Sequence, residues 1–462
     1  MQNQLKKNLL IITVALLTVL AIFSFKSLSK NSSANYLQVE TNKDSIKAEL
    51  WKELNYEFSL WYPLVIDNKY GGFFSDVDYK WELKGPQNKM IVTQARHVWS
   101  NGNAAGFFKD KSPYLKIAEH GYKFLRDVMW DKEYGGFYNL VNRQGAPLKE
   151  NNGQIIKQAY GNAFAVYGLA AYYKACGDTA VLNLAKKTFY WLENHSYDKK
   201  FGGYFQLLTR EGKPFKEGFR GTPPKDQNSM IHIMEAFTEL YKVWPDKILK
   251  ERLTSLLHLI RDTITTPDGY MNLFFKQDWT PISYRDSSQA ARQKHFELDH
   301  VSFGHNIETG YLLLEASHVL GIKDDTVTLR KAKRMVDHTL ENGFDNQNGG
   351  IFDGGYYFHG KTGITIIRKT KEWWSQIEAL NSCLMMSELF PNDPHNYYEH
   401  FCVQWNYIKK YLIDDTYHGW YRDGLDTAPW VRKSPKADIW KCNYHTSRGM
   451  INCLRRLEGA EE

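Results

Sequence analysis

One short phrase recurs six times along the chain: YGGFFSDV at 70–77, YGGFYNLV at 134–141, FGGYFQLL at 201–208, DGYMNLFF at 268–275, NGGIFDGG at 348–355 and HGWYRDGL at 418–425. Measured on the glycine before the large apolar residue (Gly72, Gly136, Gly203, Gly269, Gly350, Gly419), the steps are 64, 67, 66, 81 and 69 residues. Such spacing marks a repeat architecture, in which copies of one unit bury each other's apolar faces. It lets 462 residues close around one core without splitting into several domains.

A helical pattern precedes each phrase, starting near residues 48, 112, 179, 248, 327 and 396, with apolar residues at three- and four-residue spacing and charges between them. A second pattern follows each phrase, near 93, 160, 227, 305, 373 and 444, with fewer charges and more Ala, Gly and Ser. The first set reads as outer helices and the second as close-packed inner helices. Outer helix, Gly-Gly-aromatic turn and inner helix then form one unit, with the aromatic roofing that end of the barrel. Six units predict an all-α fold, an (α/α)6 barrel. A linear solenoid is the alternative, and the low charge along the inner helices favours closure.

The net charge of +7 includes Lys6, Lys7, Lys26 and Lys30, all ahead of the first acid, Glu40. The rest of the chain has no Lys/Arg block able to track phosphates, which excludes a nucleic-acid partner. Residues 9–25 carry no charge and follow the basic pair Lys6-Lys7, so they read as an export signal or short membrane anchor. Residues 1–44 are thus expected to be a signal or anchor with a tether, and 45–462 the barrel. The protein would be exported, periplasmic or anchored to the inner membrane. The five cysteines are odd in number and dispersed, and suggest neither a zinc site nor a disulfide framework.

Chemistry-bearing residues gather at the starts of the inner helices: Arg96 and Trp99; Tyr160 and Asn162; Asn228 and His232; His305 and Glu308; Trp373, Trp374, Gln376 and Glu378; His445 and Arg448. Parallel inner helices would bring these starts to one mouth, where free N–H groups and helix dipoles favour an anion and keep histidine neutral. His305 and His445 each have a polar residue one turn on, Glu308 and Arg448. Of the adjacent Trp373 and Trp374, at most one is expected to face the cavity. No H-x-x-x-H pair occurs on these helices, and H-x-x-E at 305–308 is a weak ligand pattern, so neither metal nor cofactor is expected.

The motifs 96-RHVW-99, 228-NSMIH-232, 302-SFGHNIE-308, 373-WWSQIE-378 and 440-WKCNYH-445 occur in order over about residues 45–460. In these the chain resembles the N-acylglucosamine 2-epimerase superfamily, and within it the cellobiose/mannobiose 2-epimerases. The resemblance implies an (α/α)6 barrel that inverts C2 of the reducing-end sugar of a disaccharide through an enediolate. It implies His305 and His445 as the acid/base pair, Arg96, Asn228 and His232 on the O1/O2 side, and Glu308 orienting His305. Trp374, Glu378, Trp440 and Tyr160 would bind substrate. Asn443, Gly310-Tyr311 and Ile377 depart from the pattern the resemblance leads one to expect, and are expected to touch the pocket walls. An aldose–ketose isomerase or N-acylglucosamine 2-epimerase of the same superfamily is the nearest alternative. An (α/α)6 glycoside hydrolase working through Glu308 and Glu378, or a non-catalytic sugar-binding toroid, is more distant.

Overall fold

The structure, a computed structural model, describes residues 41–150 and 153–459. The run 9–25 lies outside them, and no described helix is long and apolar enough to cross a membrane. Six outer helices alternate with six inner ones. The outer set is α1 (Lys43–Trp61), α3 (Ser112–Phe124), α5 (Thr179–His195), α7 (Lys247–His258), α9 (Thr326–Gly343) and α11 (Tyr397–Tyr411). The inner set is α2 (Ile91–Phe107), α4 (Ala159–Cys176), α6 (Gln227–Val243), α8 (Phe303–Val319), α10 (Trp373–Leu389) and α12 (Tyr444–Leu457).

Local chemistry separates the two sets. Asn42, Asp178, Asp246 and Asp325 cap α1, α5, α7 and α9, their side chains accepting free N–H groups of the first turn. The cap at Asn42 puts Lys43 and Asp44 in α1, two residues ahead of the boundary expected from sequence. Among the inner helices only α6 has a side-chain cap, from Asp226. The starts of α2, α4, α8, α10 and α12 have none.

Each inner helix packs on the next, and α12 returns to α2, so the inner ring is closed and the solenoid alternative fails. The packing also corrects the expected unit. An outer helix lies chiefly against the inner helix before it in sequence, α3 on α2, α5 on α4 and so on, while α1 lies on α12. The first helix therefore completes the last pair. Trp51 Nε1 donates to Glu458 Oε1 at 3.1 Å and Trp420 Nε1 to Glu53 Oε1 at 2.8 Å across this seam.

The repeated phrase makes a tight turn after each outer helix. Gly71 and Gly72 have φ of 79° and 68°, backbone that a side chain rarely adopts. The aromatic that follows does not roof the mouth. Phe73 is fully buried in the wall, against His97 of α2 and His120 of α3, with ring centroids 4.5 and 5.7 Å away. Its N–H donates to Gln94 Oε1 of α2 at 2.8 Å; Phe137, Met271 and Ile351 do the same to Asn162, Asn306 and Gln376. Asn162 and Gln376, placed by sequence at the mouth, are thus anchors for the turns.

A second repeat lies in the same turns. Asp67, Asp131, Asp198, Asp345 and Asp414 each bind a buried lysine: Lys89, Lys157, Lys225, Lys371 and Lys436, at 2.6 to 3.0 Å. The first four lysines also donate to the carbonyl of the first turn glycine. Such pairs fix geometry more than they add stability, because desolvation offsets most of the attraction. In the fourth repeat Thr266 stands at the aspartate position and Val301 at the lysine position. Both charges are gone together, as expected where removing one would strand the other.

Short antiparallel strands tie neighbouring repeats at the same end. Lys89–Met90 pairs with Leu140–Val141, Ile156–Gln158 with Leu207–Thr209, and Lys225–Asp226 with Phe274–Phe275. Val301–Ser302 pairs with Gly354–Tyr356, which also pairs with Thr365–Arg368. The 81-residue step accommodates an insertion before α8 that holds the short helix Gln289–His295.

Candidate active site

The starts of the inner helices surround a cavity of about 660 Å³. Tyr160, Asn228, His305, Trp374 and Trp440 line it. Trp373 does not; it is buried under the Arg422 guanidinium, 5.4 Å from its ring. The Oδ1 of Asn228 is buried without a hydrogen-bond partner, an acceptor available to a ligand hydroxyl.

Arg96 is buried without a carboxylate. Its guanidinium lies over the rings of Phe164 and Tyr444, 4.4 and 4.9 Å from their centroids. Its Nη2 donates to Tyr160 Oη at 3.1 Å and its Nη1 to the Trp440 carbonyl at 3.3 Å. The charge is thus held by π faces and neutral oxygens, which leaves it uncompensated and suited to an anion. The His232 ring lies 5.2 Å from that of Tyr160, and its Nδ1 meets Glu235 Oε2 at 2.7 Å.

The other two histidines share a neighbour. Trp374 has its ring centroid 4.8 Å from His305 and 5.7 Å from His445. His305 Nδ1 lies 2.8 Å from Ser302 Oγ, the last residue before α8. His445 Nδ1 lies 2.8 Å from Glu378 Oε1, on α10. Burial pushes the His305 pKa down to about 3, helped by positive charge at His232, His300 and Arg96. His445 is pushed well below the usual histidine range, again by burial first and Arg96 second. Both rings rest neutral at pH 7, as the helix field invoked from sequence also favours, with burial as the leading cause.

Two expected pairings are not the ones formed. Glu308 does not hydrogen-bond His305, and Arg448 does not serve His445. Instead Arg448, about 1% exposed, is the hub of a buried cluster, donating to Glu235, Glu308 and Glu378, with its Nη1 2.6 Å from Tyr444 Oη. Residues one turn apart on a helix were expected to meet, but the partners come from α6, α8 and α10. Glu378 is fully buried in this cluster and holds His445, so it does not line the cavity. Burial pushes the Glu378 pKa up, and Arg448 opposes that rise. Arg96, His232, Glu308 and His445, expected at the cavity from sequence, and Asn443, Tyr311 and Ile377 likewise lie outside the cavity lining; His445 and Arg96 reach it through their contacts with Trp374 and Tyr160.

Several cavity residues carried no motif. Glu297 and His300 come from the insertion before α8, flagged only by the long step. Burial pushes the His300 pKa down to about 4. Asp353 and Glu372 line the wall beside Arg368, which pairs with Glu297. Asp353, Glu372 and Asp423 have carboxylate oxygens within 4.8 Å of one another. Burial and the neighbouring acids push Asp353 up to about 8 and Asp423 up to about 6, so protons are held among them. Glu372 also accepts the Trp374 indole N–H and fixes that ring.

Two further donor sets are compact enough for a cation: His232, His305 and Glu308, and Glu308, Glu378 and His445, each within 4.8 Å. Arg448 already neutralises Glu308 and Glu378 there. A divalent ion would add its charge next to that guanidinium and close to Arg96, an electrostatic conflict that the donor set does not relieve.

A family model described as N-acylglucosamine 2-epimerase matches residues 72–447. The cellobiose 2-epimerase of Bacteroides fragilis is 29% identical over 415 residues, covering 88% of this chain and 98% of that relative. The solved cellobiose 2-epimerase of Spirochaeta thermophila superposes with a TM-score of 0.77 at 29% identity, covering 91% of this chain and 98% of that one. A D-mannose isomerase structure shares the fold, with a TM-score of 0.75 at 21% identity over 89% of this chain and 98% of its own. A match across that span, on a closed ring of six inner helices, shows that the chain belongs to the N-acylglucosamine 2-epimerase family.

Proposed function

We propose that the protein is a sugar 2-epimerase that inverts C2 of the reducing-end residue of a β-1,4-linked disaccharide of the cellobiose/mannobiose type. The observation that carries this is the pair of neutral histidines on one tryptophan, beside an arginine with no carboxylate partner. The relatives named cellobiose 2-epimerase support the disaccharide. After ring opening, one imidazole takes the C2 proton and leaves an enediolate, whose charge is opposed by Arg96 and the uncapped helix starts. The other imidazole, neutral at rest, first takes a proton from solvent and then gives it to the opposite face of C2, while the first imidazole releases the abstracted proton to solvent. The reverse direction exchanges the roles, and solvent restores the two protonation states.

The two histidines are not equivalent in this scheme. Glu378 at His445 Nδ1 stabilises an imidazolium, whereas the Ser302 hydroxyl does little for one at His305. His305 is therefore the better resting base and His445 the better proton carrier. A glycosidase reading is disfavoured because Glu308 and Glu378 are both bound to Arg448 and do not face each other across the cavity. The uncharged run 9–25 supports action outside the inner membrane, with the barrel exported or tethered.

The test incubates the full chain with cellobiose, mannobiose and N-acetylglucosamine in D2O and follows C2 by NMR. The expected result is epimer carrying deuterium at C2 from a disaccharide. Accumulation of ketose would move the protein to aldose–ketose isomerisation, as in the D-mannose isomerases. Absence of C2 exchange with every sugar would overturn the reading.

A further inference from the structure

The barrel has a second cavity, of about 900 Å³, at the mouth opposite the candidate active site. It is formed by the C-terminal halves of all six inner helices, and Tyr444 and Arg448 lie in the layer between the two cavities. Its floor is aromatic: Trp99 and Tyr167 stack at 5.0 Å and 14°, beside Tyr311. The Trp99 indole N–H is buried and unpartnered, although the residue is only 5% exposed; Asn103 Nδ2 is also unpartnered.

The charges of the wall select the ligand. Lys242 binds both Glu239 at 3.1 Å and Glu315 at 2.6 Å, leaving no free carboxylate among these three. Arg455 donates to Asn103 Oδ1 at 3.2 Å. The helices present their carbonyl ends here, which disfavours an anion, and the basic side chains disfavour a cation. Lys174 and Arg456 complete the basic side of the wall, Arg456 paired with Glu388, and beside these charges stand N–H donors, helix carbonyls and aromatic surface. A neutral polyhydroxyl compound uses all three, because each hydroxyl both accepts and donates and a sugar ring offers an apolar C–H face. The volume suits one or two rings.

We propose that this far mouth is a second carbohydrate site, for a neutral mono- or disaccharide, independent of the catalytic cavity. Equilibrium dialysis of radiolabelled cellobiose against the full chain should count two sites. Asn103→Leu should weaken one at least about tenfold while C2 exchange continues; Asn228→Leu should weaken only the other. Should Asn103→Leu fail to fold, Tyr241→Ala removes aromatic wall at the same mouth and should give the same result. A single site lost with Asn228→Leu, two sites both indifferent to Asn103→Leu and Tyr241→Ala, or displacement of the far-mouth sugar by inorganic phosphate would each overturn the proposal. The stoichiometry is read whether or not the protein epimerises cellobiose, so failure here is distinct from failure of the catalytic reading.

Discussion

Glu378 meets His445 through Nδ1 at 2.8 Å, and the same carboxylate oxygen takes a hydrogen bond from Arg448 at 2.6 Å. One acid thus joins the reacting imidazole to the buried charge cluster. Removing its charge should cost more than removing the neutral hydroxyl behind His305. Glu378→Gln is expected to lower kcat by about 10²-fold, and Ser302→Ala by about 3- to 10-fold, the scale of one neutral hydrogen bond. Steady-state rates decide it, and equal losses would show that Glu378 only positions the ring.

His305→Asn and His445→Asn should each cut epimerisation by at least ~10²-fold while sugar binding is largely kept. The variants need not fail alike. The remaining imidazole can still exchange the C2 proton of one epimer with solvent deuterium without inverting it, and NMR in D2O would see this. Epimerisation near the wild-type rate in either variant would refute the two-base scheme.

Arg448→Met leaves Glu235, Glu308 and Glu378 buried without their shared cation. A loss of about 3–5 kcal/mol is expected in urea unfolding, the usual cost of breaking a buried pair from one side. A loss below about 1 kcal/mol would mean that the acids simply take up protons.

Stability should fall in acid below the ordinary carboxylate range. Burial raises the Asp67 and Asp131 pKa values, but bonds from Arg143 and Lys89, and from Arg210 and Lys157, outweigh it and hold both at about 2. The folded value lies below the unfolded one, so the contribution is complete above about pH 5 and is lost as pH falls through 2. Unfolding midpoints should fall between pH 7 and 4, because the unfolded chain protonates histidines that the fold keeps neutral, His305 and His300 among them, and fall again by pH 2.5; only the second drop should shrink in Lys157→Met.

Turnover should survive exhaustive EDTA treatment, given the guanidinium beside the Glu308 and Glu378 donors. Loss of activity restored by one divalent ion would instead make His232, His305 and Glu308 a metal site.

The six turns and two helix textures were enough to read the barrel, because apolar spacing and glycine placement are local properties. The helix starts likewise singled out His305, His445 and Arg96. Partners were harder to read, since the residues that hold these groups come from other repeats. Arg448 sits three residues after His445, yet it binds acids from α6, α8 and α10, and no spacing along one helix reveals that. The Asp–Lys pairs were visible as an aspartate four residues before the glycines and a lysine two residues before most inner helices. They pass unnoticed because lysine is ordinarily a surface residue.

The pairing of α1 with α12 bears on how the chain is made. Ile46, Leu50, Leu54 and Phe58 form the buried face of α1, and the inner helix that covers them is synthesised about 400 residues later. At 5–20 residues per second that is roughly 20–80 s on the ribosome. Throughout that interval α1 can rest only on its early neighbours, Trp51 on Phe107 and Phe58 on Phe108 and Tyr114, while the following pairs can dock as they emerge. A nascent chain of this protein therefore leaves part of the apolar face of α1 uncovered until its last helix appears, and the ring can close only after synthesis is nearly complete.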